Sequence, residues 1–308
     1  MNFLLAYIIF PGFLFTAIVG MLASWIDRKV TARVQWRVGP PLLQPLYDFV
    51  KLLGKETVVP RGSSRMTFLV APLFGIIAAS LVSTLIWMAN LDPSTGFTGD
   101  LIVVLYFLMV PSIAVIVGGF ASRNRIASLG ASREMKLMLA DELPFLLAVM
   151  VAIIKSGGAI HLGQLVTYQQ TYGWVLCSWS GALAMIVAII TMQAKLTLIP
   201  FDIPEAETEL MGGPFLEYSG PPLAVYKLTR MMMLFVLPMV LVHIFLGGVR
   251  FEGWNILYSI LKYVVLLVLI ILIRNTNPRL RIDQAMKFLW GPVTVIGIVA
   301  VVLALLGL

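Results

Sequence analysis

Cysteine and histidine are nearly missing from this chain of 308 residues, which has one Cys (Cys177) and two His (His161 and His243). An iron–sulfur cluster takes about four protein ligands, usually Cys, and a structural zinc takes a similar set. Neither can be assembled here, with no CxxC and no His pair at ligand spacing. A bis-histidine haem would need both histidines, and His161 falls in a loop that the charge pattern below puts on the outer side. No Gly-rich nucleotide fingerprint follows a strand pattern. The chain is therefore expected to bind no redox cofactor of its own, and Cys177 reads as a small apolar filler. Charge is scarce as well: Asp, Glu, Lys and Arg make up 12% of the residues against 60% apolar, with a mean hydropathy of +0.96. That excludes a soluble domain and points to a polytopic membrane protein. The net charge of +7 follows from membrane loops and calls for no nucleic acid. The first apolar stretch, 3–26, is too long for a signal-peptide core and lacks a small-residue cleavage site.

What is present is a set of long apolar runs. A helix needs about 20 apolar residues to cross a bilayer. Eight stretches meet that length: 3–26, 67–91, 101–121, 137–160, 174–193, 223–246, 254–274 and 288–308. The expected fold is an all-α polytopic membrane protein, one integral domain over residues 1–308. Lys and Arg crowd the odd-numbered connections, whereas the second and fourth have none and the sixth has only Arg250. By the positive-inside rule the odd connections face the cytoplasm and both termini face outside. The long first connection, 27–66, carries Leu43, Leu46, Tyr47, Val50, Leu53 and Gly54 at helical spacing, with Asp48, Lys51 and Lys55 between them. This predicts a short amphipathic helix along the cytoplasmic interface.

Carboxylates then stand out. Asp141 and Glu142 fall inside a predicted span, where a buried ionised group costs several kcal/mol. The other cytoplasmic connection of note, 194–222, holds Asp202, Glu205, Glu207, Glu209 and Glu217 against a single Lys195. Asp202 and Glu205, with Pro204, look like the capped start of a helix on which Glu205 and Glu209 share a face. Capping accounts for Asp202 but not for five acids on a side that should be positive. They call for an external partner or a role in moving protons, since closely spaced carboxylates raise each other's pKa. Lys227 and Arg230, at the start of the next span, are candidate charge partners, as are Arg33 and Arg37.

Two stretches carry a family resemblance. Asp27-Arg-Lys-Val-Thr-Ala-Arg-Val-Gln-Trp-Arg-Val-Gly-Pro40 and Leu43-Gln-Pro-Leu-Tyr-Asp-Phe-Val-Lys-Leu-Leu-Gly-Lys-Glu56 resemble the first cytoplasmic loop of the eight-helix membrane subunit under the peripheral arm of respiratory complex I. Pro200-Phe-Asp-Ile-Pro-Glu-Ala-Glu-Thr-Glu209, Glu217-Tyr-Ser219 and Asn277-Pro-Arg-Leu-Arg-Ile-Asp-Gln284 resemble its acidic and last cytoplasmic loops, and residues 128–144 place Glu142 at its intramembrane glutamate. The resemblance implies that the loop acids line a chamber, that Glu142 belongs to an ion path, and that Arg28, Arg33 and Arg37 hold the docking face. One departure stands out: Gly39-Pro-Pro-Leu-Leu-Gln-Pro45 is a shortened join. It resembles the matching subunit of membrane-bound [NiFe] hydrogenases and their sulfur-reducing relatives, as does the stretch after Tyr218.

The implied function is a membrane anchor and ion-coupling subunit in the prokaryotic cytoplasmic membrane, moving protons or sodium. The implied partners are hydrogenase-like large and small subunits, an iron–sulfur subunit and antiporter-like membrane subunits. Iron–sulfur clusters and a nickel–iron or related centre would lie in those partners. A quinone-site subunit is the alternative, and a stand-alone secondary transporter the alternative of another class. No inverted repeat favours the transporter.

Overall fold

The computed structural model describes residues 3–94, 96–251 and 253–308. Among them the regular structure is helical throughout. In chain order the helices are α1 (Phe3–Ile8), α2 (Phe13–Val34), α3 (Gln44–Leu53), α4 (Arg65–Leu91), α5 (Asp100–Ala121), α6 (Arg125–Lys155), α7 (Leu162–Tyr172), α8 (Trp179–Lys195), α9 (Glu207–Leu210), α10 (Gly220–Phe245), α11 (Asn255–Thr276), α12 (Ile282–Phe288) and α13 (Thr294–Leu305). Among the described residues, seven helical stretches are long and apolar enough to cross a membrane, and α8 is a shorter apolar helix of 17 residues. The eight predicted runs are therefore all present as helices, with shifted ends.

The shifts have local causes. The first run breaks around Pro11, and α2 then continues as far as Val34, carrying Asp27 and Arg28 on a helix rather than in a loop. Helix α6 begins well before its apolar part because Asn124 caps it, its side chain accepting a hydrogen bond from the Ile126 N–H at 2.8 Å. Helix α8 begins later than the hydropathy suggests. Residues 175–177 form a 3₁₀ turn, and the Ser178 hydroxyl accepts from the Gly181 N–H at 3.0 Å to start the helix. Cys177 sits on that turn with its side chain exposed, so it fills no core. Helix α7 was not foreseen, although Leu162, Leu165, Val166 and Gln169 bury one face at helical spacing.

Helix α10 is the axis of the bundle: 94% of its apolar window is buried, against 33% for α11. It packs on α2 and α4, while α6 packs on α5, α8 and α13. Gly20 lets α2 meet α10 closely, since a Cβ there would lie 2.6 Å from the Met231 carbonyl oxygen. The predicted amphipathic helix exists as α3 and has three faces. Pro45, Phe49 and Leu52 turn toward the bundle, Gln44, Asp48 and Lys51 form a polar edge, and Leu46, Tyr47, Val50 and Leu53 are exposed.

Candidate functional site

A cavity of about 820 Å³ opens at the arginine-rich end of the bundle, where α2, α10 and α11 converge with the acidic connection 196–219. The acidic connection does not form the capped helix that its sequence suggests. Its only α-helical turn is α9, which starts after Ala206 with no side-chain cap, so Asp202 caps nothing and Glu205 precedes the helix. Buried Phe201, Ile203 and Pro204 anchor the segment instead. Its far end is pinned by the Tyr218 hydroxyl, which donates to the Phe68 carbonyl at 3.0 Å. The next helix is fixed by Tyr226, whose hydroxyl donates to the Ala114 carbonyl at 2.8 Å.

The acids find arginines inside the chain. Asp202 pairs with Arg279 at 3.0 Å, Asp27 pairs with Arg274 at 2.7 Å, and Glu205 pairs with Arg230. The Arg230 guanidinium also lies over the Phe215 ring at 5.4 Å, which holds it at the cavity wall. Glu209 points away and pairs with Arg133 at 2.6 Å. Glu217 also leaves the cavity and accepts a hydrogen bond from the Asn124 side chain. Of the predicted loop acids, Asp202, Glu205 and Glu207 line the cavity, together with Arg28, Lys227 and Arg230. Arg28 bonds Asp48 at 2.7 Å and so ties α3 to α2. Arg33 and Arg37 are exposed and make no ion pair among the described residues. The sequence reading missed Arg279 and Arg133 as partners, since both read only as cytoplasmic positive charge.

Burial sets the electrostatics of the cavity acids. It pushes the Glu205 carboxyl above the ordinary glutamate range, with Arg230 opposing it. Burial also raises Asp202, against the pull of Arg279 and then Arg230. Glu209 is held below the usual range by its hydrogen bond from Arg133. Apolar Phe215, Leu223, Met231 and Leu234 also line the cavity.

A second charged cluster lies inside the bundle. Lys195, at the end of α8, reaches Glu142 of α6 at 2.6 Å and Asp141 at 3.6 Å. Its side chain is only 5% exposed, and its ammonium lies 5.0 Å from the centre of the Phe145 ring. Asp141 and Glu142 thus share one cation. The sequence reading counted Lys195 merely as a loop charge. Pro144 has no N–H for the carbonyl four residues back, so the helix is weakened beside this pair. Among the described residues, no three or more His, Cys, Asp or Glu side chains gather as a metal site would require.

The family model described as NADH dehydrogenase matches residues 6–305. The chain belongs to that family. The H subunit of the NADH-quinone oxidoreductase from Thermomicrobium roseum is 35% identical over 302 residues, covering 90% of this chain and 88% of its own length. The equivalent protein from Geobacillus thermodenitrificans is 32% identical, covering 90% and 86%. Among solved structures, a chain of an archaeal membrane-bound sulfane sulfur reductase superposes with a TM-score of 0.87 at 30% identity. That match covers 98% of this chain and 99% of the other. This member of the family is a multi-pass membrane subunit of the complex I-like class, as its helices and both kinds of relative require.

Proposed function

We propose that this chain anchors soluble redox subunits at its arginine-rich, cytoplasmic end and couples their chemistry to ion translocation, with both termini on the outer face. The observation that carries the reading is the pairing of an acid-lined cavity at that end with a buried Lys195–Glu142 contact of 2.6 Å deeper in the bundle. Two carboxylates around one ammonium leave one negative charge uncompensated in a low-dielectric site, so the neutral cluster is the one that holds a proton. Redox events in docked subunits would change the charge at Asp202, Glu205 and Glu207, and Glu142 would pass that change to neighbouring antiporter-like membrane subunits.

The full-length superposition on the sulfane sulfur reductase chain and the shortened Gly39–Pro45 join support a sulfur-reducing or hydrogenase-like complex. In this reading, the partners are hydrogenase-like large and small subunits and an iron–sulfur subunit. They would carry iron–sulfur clusters and a nickel–iron or related centre. The test is Glu142→Gln in the intact complex in membrane vesicles. Electron transfer and assembly should persist while ion translocation per turnover is lost. Translocation at the original ratio would overturn the reading.

A second reading has its own observation. The apolar side chains in the cavity lining and its size suit a quinone ring, and the bacterial relatives belong to NADH-quinone oxidoreductases. It predicts electron transfer to quinone that quinone-site inhibitors block. Turnover with a sulfur compound or protons as acceptor, untouched by those inhibitors, would exclude it.

A further inference from the structure

Between the two charged regions lies a small chamber of about 50 Å³. Its polar walls are Ser112 of α5, Glu134 of α6, Lys195 of α8, Thr229 and Arg230 of α10, and Glu205 of the acidic connection. Glu205 and Arg230 also line the large cavity, while Lys195 is the ammonium that holds Glu142. The chamber therefore touches both charged regions. A water needs roughly 10–15 Å³ of probe volume and two to four polar partners, and this space meets both conditions.

Glu134 is the group that neither region explains. It is 4% exposed, inside the bundle, on an α6 face that the sequence shows only as a polar run between Arg133 and Lys136. Among the described residues it makes no ion pair, whereas Asp202 and Glu205 each have an arginine. It stands seven positions before Asp141 on α6, which puts both carboxyls on nearly the same side of the helix. The charged groups that act on it are Glu205, Arg230 and Asp141, with the Ser112 hydroxyl alongside.

We infer that Glu134 is the proton-carrying link between the loop acids and the Lys195–Glu142 pair, working through water held in this chamber. The inference rests on the coupling role proposed above and adds its missing step. A proton leaves the Glu205 carboxyl for a chamber water, which gives one of its own to a Glu134 oxygen. Glu134 then releases it toward the Asp141 and Glu142 carboxyls that share Lys195, and Lys195 stays an ammonium throughout. No electron moves and no atom is gained. A proton suits the chamber better than a sodium ion, because the Lys195 and Arg230 cations in its walls repel a free cation, while a carboxylate takes up a proton covalently.

The experiment uses the intact complex in sealed vesicles, driven by reduced methyl viologen, with Glu134→Gln, Glu134→Asp and Glu142→Gln side by side. Glu134→Gln should assemble and keep electron transfer but lower proton translocation per turnover by about tenfold or more, the scale of a lost proton-transfer group. Glu134→Asp should recover most of it. Redox-induced infrared difference spectra should lose a carboxylic-acid band in Glu134→Gln. Normal translocation in Glu134→Gln beside an uncoupled Glu142→Gln would overturn the link alone. Equal impairment of Gln and Asp variants, with the infrared band unchanged, would mark a packing role and also overturn it. Normal translocation in Glu142→Gln would overturn the coupling role itself.

Discussion

The two acidic regions solve the same electrostatic problem differently. At the arginine-rich end each of three loop acids has its own arginine: Asp202 with Arg279, Glu205 with Arg230, and Glu209 with Arg133. Inside the bundle Asp141 and Glu142 share Lys195. Arginine is a permanent cation with a planar donor fork, so one-to-one pairs keep fixed local charge. Lysine is a compact point charge, and one ammonium between two carboxylates cannot neutralise both. The loop pairs are balanced one to one, while the inner cluster holds one carboxylate more than it has cations. The inner cluster has a surplus carboxylate that favours a bound proton, and at the loop burial favours one on Glu205 despite its arginine.

The sharpest way to break this contrast is to remove the inner cation. Lys195→Met would leave buried carboxylates unpaired, which costs about 3–5 kcal/mol and should abolish accumulation of the assembled complex. Removing all three charges with Asp141→Asn, Glu142→Gln and Lys195→Met should bring assembly back without coupling, since an uncharged site of the same volume is tolerated. Native gels and thermal inactivation of the complex would measure both. At the loop, Arg279→Ala should cost less than about 1 kcal/mol, because its side chain is 41% exposed and its pair with Asp202 is screened. Equal losses at the two sites would show that burial is not what separates them.

The next effect concerns how the two regions are held together. Gly130 of α6 faces the acidic connection, where an added Cβ would meet Pro214 Cδ at 2.6 Å and Gly213 Cα at 2.9 Å. Gly130→Ala should force the connection off the helix at about 1–3 kcal/mol and lower the thermal midpoint, with Ser132→Ala as a control on the same helix. An unchanged midpoint would mean that the connection is free to shift there.

Much of this was legible in the sequence, and the limits were physical. Long apolar runs mark spans because the bilayer demands them, so all eight were found. Their ends were not, since α2 and α6 run on into polar residues wherever packing and a cap such as Asn124 allow it. The stripe of Leu46, Tyr47 and Val50 announced α3. Asp202 looked like a cap because capping is a local rule, whereas its real partner, Arg279, arrives from beyond α11 and leaves no local trace. Lys195 and Glu134 were hidden for a related reason. Each sits at the edge of an apolar helix among ordinary loop charges, and only the packing of α6 against α5, α8 and α10 encloses them.

The smallest effects separate two acids of the same connection by the sign of their response to pH. Burial raises Glu205, so the folded state binds its proton more tightly than the unfolded chain does. Its contribution therefore favours folding at low pH and is lost as pH rises from the unfolded value through the raised folded one. Arg230→Gln removes the opposing cation and should carry that decline further toward neutral pH in a series of thermal midpoints. Glu209 has the opposite sign, because the Arg133 hydrogen bond lowers it. Its contribution is present above the unfolded value and disappears as pH falls through the lowered one. Arg133→Ala should leave the neutral-pH midpoint unchanged, since the Glu209 side chain is 57% exposed, and should remove only a slight acid sensitivity. If both variants shifted the acid side in the same direction, Glu205 would be paired at the surface like Glu209. It would then carry no raised proton affinity, and the loop would hold no acid ready to hand a proton inward.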